Sequence, residues 1–218
     1  MKKQFVFAFV LLVLFSTYKS KKSLSINKLK IETIYIENNL ILSNEEIKED
    51  LDFLYNTNLL FLNTTSIERV LKKKDFIKDF KIKKIYPNKI KIMVFEKKPI
   101  FILQQKKKKF YIDENINLIH YLELKDFKNL PVVFGKKENF RIFYQNLKKM
   151  NFPFNLIKNY YYFESNRWNL ETHEKKIIKL PSENYIESLK NFIKLQKTND
   201  FEKFKIFDYR INNQLILK

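Results

Sequence analysis

Few side chains in this 218-residue chain are of the types that carry chemistry, and those few are dispersed. The chain has no cysteine, which excludes disulfides, cysteine-ligated metals and thiol nucleophiles. Its two histidines, His120 and His173, lie far apart in strand-like surroundings, which is typical of structural or surface histidines. We therefore predict that the protein has no metal site and no cofactor.

The remaining candidates for catalysis are equally weak. A single glycine leaves no phosphate-cradling loop and no dinucleotide-binding fingerprint, and no histidine-containing triad can be assembled. The adjacent acids Asp113/Glu114 and Glu45/Glu46 are typical of turns and of the first turn of a helix. We predict that the chain is not an enzyme, and that its elements serve binding.

The formal charge of +19 raises nucleic acid as a possible partner. The 43 basic residues are 39 lysines and 4 arginines, and the chain is rich in Asn, Ile, Phe and Tyr, as expected of an AT-rich genome. Base readout and bidentate phosphate contacts favour arginine, and these lysines are scattered along every element. We predict no nucleic-acid partner, while a basic surface facing anionic lipid stays an alternative.

The amino terminus carries an apolar run from Gln4 to Tyr18 without charge. As a helix it would measure about 22 Å, against roughly 30 Å of hydrocarbon in a bilayer. A cleaved signal peptide has a similar apolar run, with Ser23-Leu24-Ser25 as the one credible cleavage site. We predict an uncleaved transmembrane anchor at residues 4–18, after a tail at 1–3 and before a linker at 19–30. Lysines on both sides extend its usable length, and their distribution does not settle its orientation.

A compact first domain follows the linker. Apolar residues alternate in its strands and recur at helical spacing in its helices, and capping residues open those helices. The predicted order is β-α-α-β-β: a strand at Ile34 and Ile36, helices opened by Ser43 and Thr65, a strand around Phe80 and Ile82, and a strand over Ile90–Glu96.

The chain beyond Pro99 alternates mostly as strands, with two helices of inward-facing apolar residues around Leu147 and Leu189. The last two strands, Phe204–Tyr209 and Gln214–Leu217, flank the turn-prone Asn212-Asn213 and predict a terminal hairpin. No later strand in the sequence covers this hairpin, so we expect its outer strand to be open for another chain.

Several short motifs occur in order along the chain. Their residues are Tyr86 and Pro87 in an aromatic-Pro turn, Glu96 and Pro99 in Glu-x-x-Pro, Gly135 in Leu-Pro-x-x-x-Gly, Arg167 and Trp168 in Arg-Trp-x-Leu, and Asp208 before Tyr209 and Arg210. This series of motifs resembles the FtsQ/DivIB family of bacterial cell division proteins. Asn38-Asn39 stands where the family has a Gly-Asn turn, and Asn115 replaces the glycine of a second family turn.

The resemblance implies an α+β protein with a POTRA domain at 31–98 and a β-domain at 99–218. It implies a single-pass protein of the inner membrane at the division septum, with a cytoplasmic amino terminus and a periplasmic carboxy-terminal domain. Its partners would be FtsB/FtsL-like proteins bound by strand addition, and other division proteins of the FtsK, FtsW and FtsI kinds. The protein would thereby position septal peptidoglycan synthesis.

The residues expected to bind partners form two groups. In the β-domain they are Tyr209 and Arg210, as side-chain anchors, and Leu215, Ile216 and Leu217, on a strand that proline at Ile216 would block. In the POTRA domain they are Ile82, Lys84 and Glu96, of which a salt bridge between Lys84 and Glu96 would explain two without any partner. A POTRA-containing outer-membrane assembly or transport factor, acting as a strand chaperone, is the alternative function; it requires tandem POTRA units and a barrel.

Overall fold

The computed structural model describes residues 2–17, 26–198, 201–211 and 214–218. Some of the sequence predictions lie outside these residues: Met1 of the tail, linker residues 19–25 with the cleavage site Ser23-Leu24-Ser25, and the turn at Asn212-Asn213. The fold is mixed α+β, as predicted. It divides into two compact units, the first comprising Met1–Lys74 with Asp79–Phe95 and the second Asp75–Lys78 with Glu96–Lys218.

Strands outnumber α-helices among the described residues. The α-helices of the described residues are α1 (Lys2–Thr17), α2 (Asn44–Asp50), α3 (Thr65–Leu71), α4 (Lys137–Lys149) and α5 (Tyr185–Leu195). The strands of the same residues are β1 (Thr33–Glu37), β2 (Ile77–Ile85), β3 (Lys89–Glu96), β4 (Pro99–Gln105), β5 (Lys108–Asp113), β6 (Leu118–His120), β7 (Val132–Phe134), β8 (Ile157–Phe163), β9 (Arg167–Thr172), β10 (Ile177–Lys179), β11 (Ile206–Asp208) and β12 (Ile216–Leu217).

The apolar amino-terminal run forms α1. Every side chain of this helix from Lys3 to Thr17 is exposed. Among the described residues, no helix combines the length and apolarity needed to cross a membrane. The helix itself was predicted, and its crossing of a membrane is not confirmed.

The first unit follows the predicted β-α-α-β-β order. Its sheet has the strand order β1-β3-β2, with β1 parallel to β3. Ser43 caps α2 as expected, its Oγ accepting a hydrogen bond from the Glu46 N–H at 3.0 Å. The predicted capping box at Thr65 was wrong: Thr65 is the first residue of α3 and Thr64 is its N-cap, without a side-chain cap bond. The Thr65 N–H instead donates to Asn63 Oδ1 at 3.0 Å.

The second unit contains a nine-stranded sheet with the order β12-β11-β10-β9-β8-β7-β4-β5-β6. Five of its eight strand pairs are antiparallel and three are parallel, so the mostly antiparallel prediction understates its mixed character. α4 and α5 bury their apolar faces in one core with the strands. At its centre, Trp168 stacks on Phe143 with ring centroids 4.7 Å apart.

Gly135, the single glycine of the chain, follows β7 where it approaches β8. A Cβ atom at this position would lie 2.8 Å from the Cβ of Tyr162, closer than such atoms approach in folded proteins. Tyr162 in turn packs on Trp168, with ring centroids 5.0 Å apart. The missing side chain thus allows β7 and β8 to meet beside the central tryptophan.

The turn between β5 and β6 corrects one expectation. Ile116, not Asn115, adopts the left-handed conformation, with φ of 61°. A β-branched residue is seldom found there. The Asp113 carboxylate holds the turn by accepting the N–H groups of Asn115 (2.9 Å) and Asn117 (2.8 Å), while the Ile116 side chain is buried in the core. Burial of this side chain offsets the backbone strain.

Candidate partner-binding site

The outer edge of the nine-stranded sheet is β12, the last strand of the chain. It pairs with β11 in antiparallel register, Phe207 opposite Leu217 and Asp208 opposite Ile216. No described strand pairs with its other side. The predicted terminal hairpin is therefore present, with an open outer strand.

The hydrogen-bond pattern shows which residue offers its backbone at this edge. Ile206 and Lys218 exchange two bonds, the Lys218 N–H donating to the Ile206 carbonyl at 3.1 Å and the Ile206 N–H to the Lys218 carbonyl at 2.9 Å. In an antiparallel pair, bonded and non-bonded positions alternate along the strand. Leu217 therefore turns its N–H and C=O away from β11, whereas Ile216 directs its own toward Asp208.

This pattern corrects the expectation for Ile216. A proline there would remove a hydrogen bond inside the sheet, because the Ile216 N–H faces β11. Leu217 carries the outward-facing donor and acceptor. The side chains have the opposite placement, since Ile216 is exposed and Leu217 packs partly against the core.

Tyr209 and Arg210 are both held by their own chain. Tyr209 is 7% exposed and donates its hydroxyl to Asn191 Oδ1 on α5 at 2.9 Å, and burial raises its pKa well above the usual range. Tyr209 thus connects the end of β11 to α5, and its role as a side-chain anchor for a partner stays a prediction. Arg210 makes a bidentate contact with Asp208, Nε–Oδ1 at 2.8 Å and Nη2–Oδ2 at 2.6 Å, while 41% of its side chain is exposed.

A groove of about 580 Å³ lies between α5 and residues on either side of β11 and β12 in the chain, among them Ile211, Gln214 and Leu215. Polar side chains of α5 line one wall, and Tyr209, Ile211 and Leu215 line the other. A strand added to Leu217 would project alternate side chains on the α5 side, because successive residues of a strand point to opposite faces. Leu215 itself lines the groove.

Sequence reasoning missed Lys176, which precedes β10. It is only 4% exposed, and its Nζ donates to the carbonyl oxygens of Phe201 (3.2 Å) and Phe204 (3.3 Å) and to Glu202 Oε2 (3.2 Å). These bonds fix the segment that leads into β11. A lysine in so lysine-rich a chain gives no signal of burial in the sequence.

The opposite edge of the sheet is better protected. The strand there, β6, has three residues, and the His120 N–H donates to Asp75 Oδ2 at 3.3 Å. Both edge strands are short, β12 having two residues, so the difference lies in the Asp75 side chain, which occupies an N–H of the β6 edge and discourages pairing with another chain there. The two ends of the sheet differ, and β12 is the more accessible one.

The residues predicted in the POTRA domain do not form one cluster. Ile82 and Lys84 share a face of β2, an edge strand of its sheet, and Lys84 Nζ donates to the Leu62 carbonyl at 3.0 Å. Glu96 is the last residue of β3. Because Lys84 lies beside the turn of the β2–β3 hairpin and Glu96 at its open end, the suggested salt bridge between them was wrong.

The remaining motif residues lie in a turn or at the start of a strand. The Tyr86–Pro87 bond, in the turn between β2 and β3, is cis, and Pro99 opens β4. Arg167 opens β9 and donates from Nε to Ser165 Oγ at 2.9 Å. Among the described residues, no three His, Asp or Glu side chains lie together as a metal site requires.

The Arg210–Asp208 contact predicts a pH-dependent stability. The hydrogen bonds from Arg210 hold the pKa of the Asp208 carboxyl below its ordinary value. A carboxyl with a depressed folded pKa stabilises the fold above its unfolded pKa, about 3.9, and loses this contribution as the pH falls through the folded value. We expect Arg210→Ala to lower the free energy of unfolding at neutral pH and to have a smaller effect at about pH 3, below the unfolded pKa.

Urea unfolding of wild type and variant at the two pH values measures this difference. Arg167→Ala is the matched control, because Arg167 bonds the Ser165 hydroxyl instead of a carboxylate. Its effect should be the same at both pH values. An Arg210→Ala effect that does not change with pH would show that the contact contributes no linked stability.

Comparison with known proteins agrees with the fold and its motifs. The sequence model for the POTRA domain, FtsQ-type, matches residues 29–97, and that for the carboxy-terminal region of cell division protein FtsQ/DivIB matches residues 101–210. Cell division protein FtsQ of Rickettsia prowazekii is 27% identical over 87% of this chain and 72% of that protein. The FtsQ of Rickettsia bellii is 28% identical over the same shares.

Two DivIB proteins are also similar. DivIB of Clostridium tetani is 27% identical over 59% of this chain and 49% of that protein. The solved extracytoplasmic domain of DivIB from Geobacillus stearothermophilus aligns with 49% of this chain and 96% of its own length, at 13% identity and a TM-score of 0.35. The carboxy-terminal match alone spans half of the chain. The resemblance inferred from the motifs is confirmed, and the chain belongs to the FtsQ/DivIB family of cell division proteins.

Proposed function

We propose that this protein is a non-enzymatic scaffold of the division machinery that captures a strand of an FtsB/FtsL-like partner at β12. The observation that carries this proposal is the open edge at Leu217. Main-chain N–H and C=O groups directed away from a sheet accept another chain's strand and give it affinity. The groove beside α5 supplies the neighbouring surface where side chains of that strand give specificity.

The same proposal assigns the site's other residues their roles. Tyr209, through Asn191, and Lys176, through the segment before β11, keep β11 and hence β12 in place. The exposed part of Arg210 lies at the end of β11 and contributes a polar contact at the rim. Through this contact the protein would position septal peptidoglycan synthesis, together with FtsK-, FtsW- and FtsI-like division proteins.

Membrane attachment through α1 is part of the proposal. An apolar helix whose side chains are exposed on every side is unfavourable in water and requires a covering. The inner membrane would supply it, with the amino terminus in the cytoplasm and the carboxy-terminal unit in the periplasm at the septum.

Strand capture is tested with the full chain and a fluorescent peptide. The peptide carries the strand-forming, membrane-distal segment of the FtsB-like protein from the same cell, and its anisotropy is measured as the chain is titrated. We expect saturable binding, with no binding of a scrambled peptide of the same composition. Equal binding of the two peptides would rule out recognition of the segment.

Recruitment through the POTRA domain gives a separate prediction. We expect Glu96→Lys to remove a fluorescent fusion of the protein from the septum while the melting temperature stays nearly unchanged, because Glu96 is the half-buried last residue of β3 and lies outside the apolar core. Fluorescence microscopy and thermal unfolding measure the two effects. Glu49→Lys, the same charge reversal at an exposed site on α2, should leave localisation intact. A Glu96→Lys protein that unfolds would assign Glu96 a structural role.

A further inference from the structure

Backbone hydrogen bonds connect one end of the first unit to residues 29–32, the segment that leads into β1. The Leu59 N–H donates to the Leu29 carbonyl at 2.8 Å, and the Ile31 N–H to the Thr57 carbonyl at 2.9 Å. On the other side, the Glu32 N–H donates to the Asn88 carbonyl at 2.9 Å. The loop before α3 and the β2–β3 turn therefore both flank residues 29–32.

This end exposes large apolar side chains. Leu60 is 52% exposed, Phe61 78% and Tyr86 55%, whereas Leu59 and Leu62, which flank the first two, are buried. The loop is held in this arrangement because Lys84 Nζ donates to the Leu62 carbonyl at 3.0 Å. The buried side chains of Leu59 and Leu62 and the hydrogen bond from Lys84 hold this loop in place, and Leu60 and Phe61 point into solvent.

Basic residues accompany these side chains. Lys28 and Lys30 are exposed on the segment that the loop bonds, and the acid between them and β1, Glu32, accepts a hydrogen bond from the side chain of Asn88. Exposed aromatic and aliphatic tips beside lysines match the chemistry of a membrane interface. Tyrosine sits at the headgroup level there, and lysine is attracted to anionic headgroups.

The short separation in sequence between α1 and the first unit also favours a membrane as the partner of this end of the unit. Eight residues separate Thr17, the end of α1, from Ile26. A chain of this length reaches at most about 30 Å, whatever its path. If α1 is attached to a bilayer, this end of the unit is kept within reach of its surface.

We propose that Lys28, Lys30, Leu60, Phe61 and Tyr86, here named the proximal surface, rest on the anionic surface of the bilayer to which α1 attaches. This contact rests on the membrane attachment proposed above and adds a second point of contact. Two attachments restrict the orientation of the first unit relative to the membrane plane, which a single helix and a linker do not.

The chain contains no cysteine, so a single introduced cysteine can carry an environment-sensitive fluorophore. We would label full-length Phe61→Cys and, as a matched control, Leu40→Cys. Leu40 is also a highly exposed apolar residue, but it follows β1 at the end opposite to residues 29–32. Each labelled chain is mixed with vesicles of phosphatidylcholine alone or with added phosphatidylglycerol, and attachment is measured separately by flotation.

We expect both chains to float with the vesicles, and the label at 61 to shift to the blue and brighten several-fold with phosphatidylglycerol, while the label at 40 changes little. The double variant Lys28→Glu/Lys30→Glu should reduce the response at 61, and so should added salt, which screens exposed charges. Circular dichroism of each variant checks that the fold is retained.

Other outcomes overturn the inference in distinguishable ways. If the chains float but the labels at 61 and 40 respond alike, the proximal surface does not contact lipid, and membrane attachment through α1 stands. If the chains do not float, membrane attachment fails and this contact fails with it, while strand capture at β12 is unaffected. A label at 61 that responds to another division protein and not to vesicles would assign the surface to a protein partner.

Discussion

Replacing Leu217 with proline should weaken capture of a partner strand at least tenfold, which corresponds to about 1.4 kcal/mol. Proline removes the N–H that Leu217 directs toward the open edge, and its ring obstructs the approach of an incoming backbone. The bonds between β11 and β12 remain, because they are made by Lys218 and Ile216. Anisotropy titration with the FtsB-like peptide measures the change, and denaturant unfolding checks the fold.

Two control variants separate the backbone effect from other causes. Leu217→Ala truncates the side chain but keeps the N–H, so it reports what the lost packing costs. Ile216→Ala trims an exposed side chain whose backbone faces β11, and it should change affinity little. Wild-type affinity in Leu217→Pro, with the fold intact, would place the partner elsewhere on the molecule.

Replacing Gly135 with alanine should lower the free energy of unfolding by about 1–3 kcal/mol, the usual cost of forcing atoms into a packed site. The added methyl group would lie 2.8 Å from the Cβ of Tyr162, so β7 and β8 would have to move apart beside Trp168. A clash with Cβ cannot be relieved by rotating the tyrosine ring. Chemical denaturation followed by Trp168 fluorescence measures the loss.

A double-mutant cycle tests the stated cause. In a Tyr162→Gly background the opposing Cβ is absent, and alanine at 135 should then destabilise the protein much less than in the wild type. An equal loss in both backgrounds would mean that the cost arises from the backbone at 135 and not from its contact with Tyr162.

The order of elements and the motifs could be predicted from the sequence because they depend on local signals. Alternation of apolar residues, the cap at Ser43 and the Tyr86-Pro87 turn act over a few residues each, and they place the strands and helices of both units. The pairing of the last two described strands was also predictable, because the turn-prone Asn212-Asn213 lies between two apolar runs.

Local sequence signals could not predict what single residues do at the β12 edge of the sheet. Whether the backbone of Leu217 or of Ile216 faces outward depends on the register with β11, which is set by pairing across the sheet. Tyr209 resembles a surface anchor until its contact with Asn191 on α5 is known. The burial of Lys176 likewise depends on carbonyl groups about 25 to 28 positions later in the chain.

Ile116 shows the same limit within a turn. An asparagine is the better candidate for a left-handed backbone, and Asn115 stands next to it. The bonds accepted by Asp113 and the burial of Ile116 in the core decide the conformation instead. Local preference is overridden here by packing that the sequence does not display.

Residues with a left-handed backbone conformation reduce the stability that this protein can lose to mutation. In its described part, eight residues other than glycine have positive φ: Asn38, Asn56, Lys106, Ile116, Asn151, Asn166, Lys175 and Asn184. Each such position costs up to roughly 1–2 kcal/mol, less for asparagine, while a domain's whole stability is about 5–15 kcal/mol. A chain that already carries these costs has a narrow margin for further destabilising substitutions. Substitution of these residues by glycine would remove part of this cost and leave more stability to offset mutations in the core.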